Sequence, residues 1–137
     1  MELVAIGVGL LVGITIHEFS HCLVAYWLGD MTGKRMGRLT LNPLRHLDPL
    51  GTLMIVITAL TGFGIGWGKP APVSPWHLRP GRRLGMGLVA AGGPVSNLLV
   101  ALVTALAIRV SVMLQLSLPA FVFYIMVGII GLNISLA

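Results

Sequence analysis

Four long apolar runs, separated by short polar loops, constrain the fold of this chain more than any other feature. The runs cover about residues 3–28, 50–66, 84–108 and 118–137, and several of them carry no polar face. A helix that is apolar all round must be covered by protein or by lipid. With 56% hydrophobic and 9% charged residues, the 137-residue chain has too little polar surface to keep such helices in water. We therefore expect one all-α, polytopic membrane domain covering residues 1–137.

A crossing helix needs about 20 residues for a hydrocarbon core of ~30 Å, so three to four of the runs should be transmembrane helices. Eight of the nine basic residues lie in the loops on either side of run 50–66, four in each loop. Positive charge in loops beside apolar runs indicates how the chain is oriented in the membrane, and it does not indicate nucleic-acid binding. Because the two loops carry equal numbers of basic residues, both are expected on the cytoplasmic side, which would make run 50–66 a re-entrant segment. A simple crossing by this run is the alternative.

Short β-strand pieces are expected in the loops. The residues Arg38 to Leu41 alternate in polarity before a proline turn, and the stretch KPAPV at 69–73 suits an edge strand. An edge of this kind could pair with an extended substrate.

The first run contains His17 and His21, four residues apart, with Glu18 next to His17. On a helix the two histidines share a face and can reach one metal ion. In this H-E-x-x-H arrangement we expect two imidazoles to hold Zn²⁺ and Glu18 to take a proton from water as it attacks a carbonyl. Because an ionisable side chain near the bilayer centre costs at least ~2.5 kcal/mol, three on one turn indicate a functional site. His17 is ~16 Å from the helix end near the first loop, so water should enter from there.

Three further blocks accompany this motif: GRLTLNPLRHLDPLG at 37–51, GWGKPAPVSP at 66–75 and AAGGPVSNLL at 90–99. Together they resemble the small prokaryotic branch of the site-2 proteases, zinc metalloproteases that cleave within membranes. The resemblance implies one Zn²⁺ per chain held by His17 and His21, with Glu18 as general base. It also implies membrane-protein substrates and a multi-pass location in the lipid bilayer of a prokaryotic cell membrane, with the active site nearer the cytoplasmic face.

The chain departs from the family pattern at the third zinc ligand. In the family this ligand is an aspartate in a later LDG-type motif, whereas the aspartates here, Asp30 and Asp48, both lie in the first loop. His46 and Asp48 could substitute, but a loop that caps itself after Asn42 is the favoured interpretation. We therefore expect a C-terminally incomplete metalloprotease core. The alternatives are a catalytically inactive membrane scaffold and, less favoured, a metal transporter.

Two further predictions concern polar and small residues within the apolar runs. Asn97 is expected either to bridge helices or to bind the substrate backbone. The glycine pairs Gly9 with Gly13, and Gly92 with Gly93, are expected to let neighbouring helices approach closely.

Overall fold

The computed structural model describes residues 2–61 and 68–137, which form helices joined by short loops. In these two ranges the α-helices are α1 (Glu2–Trp27), α2 (Thr32–Arg35), α3 (Pro49–Thr61), α4 (Arg82–Met113) and α5 (Ala120–Ser135). Two 3₁₀ turns, Pro43–Arg45 and Pro75–His77, lie in the loops. The chain divides into two compact units, Ile14–Gly93 and residues 2–13 with Pro94–Ala137. The predicted all-α class is confirmed.

Helix length corrects the predicted number of transmembrane segments. Only two of the described helices, α1 through Val4–Trp27 and α4 through Arg82–Met113, are long and apolar enough to cross a membrane. The other two apolar runs form α3, with 13 residues, and α5, with 16 residues. The end of run 50–66 falls on residues 62–67, outside the described part, so its re-entrance stays a prediction.

The expected loop strands are wrong for the residues that the structure describes. At Arg38 to Leu41 the chain bends, because its polar groups bond within the loop. The Arg38 guanidinium donates to the Arg45 carbonyl, and the His46 ring Nε2–H donates to the Thr40 carbonyl at 2.7 Å. Within the described residues, the pairing in this region is a single antiparallel bridge between Leu47 and Gly68. These contacts confirm the self-capped loop, in which Asn42 Oδ1 also accepts from the Leu44 N–H.

Asp30 ties the end of α1 to the segment before α4. Its carboxylate is 1% exposed and accepts hydrogen bonds from the Thr32 N–H at 3.0 Å, the Thr32 hydroxyl at 2.5 Å and the Ser74 N–H at 2.7 Å. His77 Nδ1 lies 3.5 Å away. Burial alone would raise the pKa of Asp30, but these hydrogen bonds outweigh it and hold the pKa below its usual value. The aspartate is therefore a structural anchor and not a metal ligand.

Glycines allow the close helix contacts within each unit. In the unit of residues 2–13 and 94–137, a Cβ at Gly9 would lie 2.8 Å from the Gly128 carbonyl oxygen, so α1 and α5 touch through backbone. A Cβ at Gly13 would meet the side chain of Leu136 at 2.7 Å. In the unit Ile14–Gly93, a Cβ at Gly92 would lie 2.9 Å from Val24 and 3.2 Å from the Ser20 carbonyl oxygen. Both predicted packing pairs therefore lie at helix contacts.

Candidate functional site

Helix α1 brings His17, Glu18 and His21 together within the unit Ile14–Gly93, and all three side chains are partly buried. The two imidazole rings meet edge to face, with centroids 4.6 Å apart and planes at 84°. The spacing of four residues places one ring a turn above the other on the same face of the helix. The structure therefore confirms that the two histidines are neighbours on a helix.

Gly93 on α4 marks the point on which the two histidines converge. A Cβ at this position would lie 2.5 Å from His17 Nε2 and 2.6 Å from His21 Nε2. Both ring nitrogens therefore lie beside one small region at Gly93, where any larger side chain would meet them. Two imidazole Nε2 atoms that share one location are the geometry a single metal ion needs from a pair of histidines.

A backbone carbonyl orients His21. Its Nδ1–H donates to the Val89 carbonyl oxygen at 2.6 Å. Because a carbonyl can only accept, the proton belongs on Nδ1 and the lone pair on Nε2, the nitrogen that faces Gly93. A hydrogen bond of this kind is the usual second-layer support of a metal-binding histidine. Sequence reasoning missed Val89, since a carbonyl that any residue could supply leaves no signal in the sequence.

The Glu18 carboxylate accepts a hydrogen bond, and its Oε2 atom has no hydrogen-bond partner among the described residues. The Ala71 N–H donates to its carboxylate, whereas Oε2 is buried and has no hydrogen-bond partner in the described part of the chain. Ala71 lies between Pro70 and Pro72, which have no N–H, so its amide is the only donor of this tripeptide. The contact therefore fixes the side chain while leaving Oε2 available.

An open cavity of about 300 Å³ lies beside these groups. Among the described residues that line it, Glu18 and His21 are ionisable and the others are apolar. The apolar lining residues are Pro70, Ala71, Val73, Met86, Val89 and Ala90. A peptide bond and a water molecule could therefore reach Glu18 and His21 from the same side.

The residues present can fill two of the ligand positions of one zinc ion. The converging Nε2 atoms, the bonded Nδ1 of His21 and the orphaned Oε2 of Glu18 suit a catalytic zinc centre of the H-E-x-x-H type. Over residues 2–61 and 68–137, however, no group of three His, Cys, Asp or Glu side chains is arranged to hold a metal ion. His46 and Asp48 do not complete the set: His46 is bonded to Thr40, and Asp48 Oδ1 accepts from the Gly51 N–H at 2.8 Å.

Asn97 lies on α4 and is 0% exposed. It belongs to the unit of residues 2–13 and 94–137, whereas the histidines and Glu18 belong to the unit Ile14–Gly93. Its assignment as a substrate-binding residue stays a prediction.

Comparison with known proteins gives relatives of one kind. The chain is 47% identical over 94 residues to "Putative zinc metalloprotease YwhC" of Bacillus subtilis, a match that covers 69% of this chain and 40% of that protein. It is 38% identical over 104 residues to "Putative zinc metalloprotease Rip2" of Mycobacterium tuberculosis, covering 74% of this chain and 38% of that protein. The chain belongs to the site-2 protease family. The Rip2 protein of Mycolicibacterium smegmatis matches at 32% identity over 93 residues.

The chain spans between 35% and 40% of the length of these site-2 protease relatives. No protein-family model and no solved structure matches it. The relatives' names support a zinc metalloprotease role for the family, and the two long apolar helices support a membrane location.

Proposed function

We propose that this chain is the core of an intramembrane zinc metalloprotease that hydrolyses peptide bonds of membrane-protein substrates. The observation that carries the proposal is the convergence of His17 Nε2 and His21 Nε2 on Gly93, beside the unpartnered Oε2 of Glu18. We also propose one zinc ion per chain and a prokaryotic cell membrane location, with the site nearer the cytoplasmic face.

His17 and His21 would hold the metal through Nε2. Zinc, when bound there, supplies a Lewis acid that polarises the scissile carbonyl and makes water more acidic. Glu18 Oε2 accepts the proton of the attacking water and can then give it to the leaving amine. The Ala71 N–H keeps the carboxylate in place for both transfers. Val89 holds His21 in the tautomer whose Nε2 lone pair faces the site.

The test is the substitution Glu18→Gln, assayed with a membrane-segment peptide in detergent micelles. We expect cleavage to be lost and zinc binding to be kept, because the base is removed and both imidazoles remain. Glu2→Gln, which changes the only other glutamate in the chain, is the matched control and should cleave like the wild type. Unchanged cleavage by Glu18→Gln would exclude this role of the residue.

An inactive membrane scaffold is the second candidate function. It is favoured by the lack of a third metal-binding side chain near the two histidines among the described residues. Zinc content separates the two candidates, since catalytic zinc usually has three protein ligands and one open position. A purified chain that binds no zinc at micromolar concentrations would favour the scaffold, whereas one zinc per chain favours the protease.

A further inference from the structure

A second cavity adjoins the one beside Glu18. It has a volume of about 490 Å³ and is lined by Pro75, Arg82, Arg83 and Met86. Met86 also lines the 300 Å³ cavity that contains Glu18 and His21. The two cavities therefore share a wall within the unit Ile14–Gly93, and a chain bound in one can continue past Met86 into the other.

The 490 Å³ cavity, called the outer cavity below, carries positive charge that the described part of the chain does not neutralise. The 300 Å³ cavity beside Glu18 is called the inner cavity. Arg82 and Arg83 are exposed, and the ion pair that the structure describes joins other residues, His77 and Asp30. The stretch 68–93 contains four basic residues and no aspartate or glutamate. The guanidinium of Arg82 lies 3.8 Å from the centre of the Trp76 ring, a cation–π contact that holds it at the cavity.

Helix stability does not explain this pair of arginines. They lie in the first turn of α4, which contains no acidic residue. The helix dipole makes positive charge unfavourable at that end, by about 0.3–1 kcal/mol per residue. An acidic group that binds between the guanidinium groups would remove this repulsion and gain charge-assisted hydrogen bonds.

The two cavities differ in what they can accept. The inner one has apolar walls around Glu18 and His21, and the outer one has two arginines. From Arg83 to Val89, the partner of His21, α4 rises ~9 Å. An extended peptide covers this distance in about three residues.

We propose that Arg82 and Arg83 select substrates that carry an acidic side chain about three residues from an apolar cleavage site. The acidic side chain occupies the outer cavity, and the apolar residue beside the scissile bond occupies the inner one. This inference rests on the proposed protease function and specifies its substrate class. Arginine suits the task because its planar fork binds a carboxylate through two hydrogen bonds.

The experiment uses two 20-residue Leu/Ala/Val-rich peptides that differ only in an Asp or a Lys placed three residues from the cleaved bond. For the wild type in neutral micelles we expect kcat/KM to favour the Asp peptide by about tenfold. The double variant Arg82→Glu/Arg83→Glu should favour the Lys peptide. The control Lys69→Glu/Arg79→Glu makes the same change in charge at exposed positions that line neither cavity, and it should keep the wild-type preference.

A binding measurement separates this proposal from the proposed function. The Asp peptide should bind the Glu18→Gln variant about tenfold more tightly than the Lys peptide, as measured by fluorescence anisotropy of labelled peptides. If the Asp peptide binds more tightly but the wild type cleaves neither peptide, the protease function would be overturned and the acidic-residue site would be supported. Cleavage without any preference would overturn the site alone. If the double variant lost affinity only for anionic phospholipid vesicles, the arginines would bind headgroups and the proposal would be wrong.

Discussion

The substitution Gly93→Ala tests the candidate metal centre most directly. The added Cβ would lie 2.5 Å from His17 Nε2 and 2.6 Å from His21 Nε2. Unstrained contacts between such atoms are about 3.5 Å, so each ring nitrogen must move by about 1 Å. The clashing atoms are the far ends of side chains that can swing away, so the fold should survive. The two Nε2 atoms would no longer converge, however, because the Cβ occupies the point between them.

A loss of zinc affinity is the expected result. A metal site tolerates errors of about 0.2 Å in ligand distance, and even changes in the groups that support a ligand cost roughly 10–100-fold in affinity. We therefore expect Gly93→Ala to weaken zinc binding by at least about 100-fold. Competition with a chromophoric zinc chelator in detergent micelles measures this change, and circular dichroism reports whether the helices are retained.

Gly87→Ala is the matched control for this prediction. Gly87 lies on the same helix, and a Cβ there would meet nothing within 4 Å. Zinc affinity should equal that of the wild type, with helix stability unchanged or raised by up to ~1 kcal/mol. Wild-type zinc affinity in Gly93→Ala would show that the two histidines do not bind the metal from this side, and the proposed centre would be refuted.

Three further predictions follow from individual contacts. Ala71→Pro removes the N–H that holds the Glu18 carboxylate, so kcat should fall by about tenfold or more while zinc affinity stays unchanged. The control Ala71→Gly keeps the N–H and should retain kcat. Equal rates of the two variants in single-turnover assays would contradict this prediction. Asp30→Asn should lower the free energy of unfolding by about 1.5–3 kcal/mol at neutral pH. Because the folded pKa of Asp30 is lowered, its contribution is complete above the usual pKa and is lost as the pH falls through the folded value; unfolding titrations that show a constant difference would count against it. Gly9→Ala should destabilise the chain by about 1–3 kcal/mol in mixed-micelle unfolding, while Gly7→Ala, with nothing within 4 Å of its Cβ, should not; similar stabilities would argue against close packing at Gly9.

The apolar runs predicted where helices form better than where they begin and end. In the described part of the chain, each of the four apolar runs contains an α-helix, and α4 extends to include Arg82, Arg83 and Arg109. Composition shows which residues avoid water, whereas helix ends depend on local backbone bonds. The loop strands were wrong for a related reason. The Arg38 side chain donates to the Arg45 carbonyl, and the Thr40 carbonyl accepts from the His46 ring, so both residues bond within their own loop.

The candidate site was predictable where its residues are close in the sequence. A spacing of four residues places His17 and His21 on one face of any α-helix, and Glu18 follows from the same motif. The Gly92 and Gly93 pair also indicated a close helix contact. The Val89 carbonyl and the Ala71 N–H were not predictable, because backbone groups carry no residue identity.

The sequence by itself determined the helical class, the apolar character of the chain and the presence of two histidines and a glutamate on one helical turn. These properties depend on composition and on local spacing, because residues four apart share one face of a helix. Only the tertiary structure decided what surrounds that turn. The hydrogen bond from His21 to Val89 joins residues 68 positions apart, and Gly93 faces both imidazoles only because α4 packs against α1. Contacts at such separations arise from packing between helices, which no local pattern specifies.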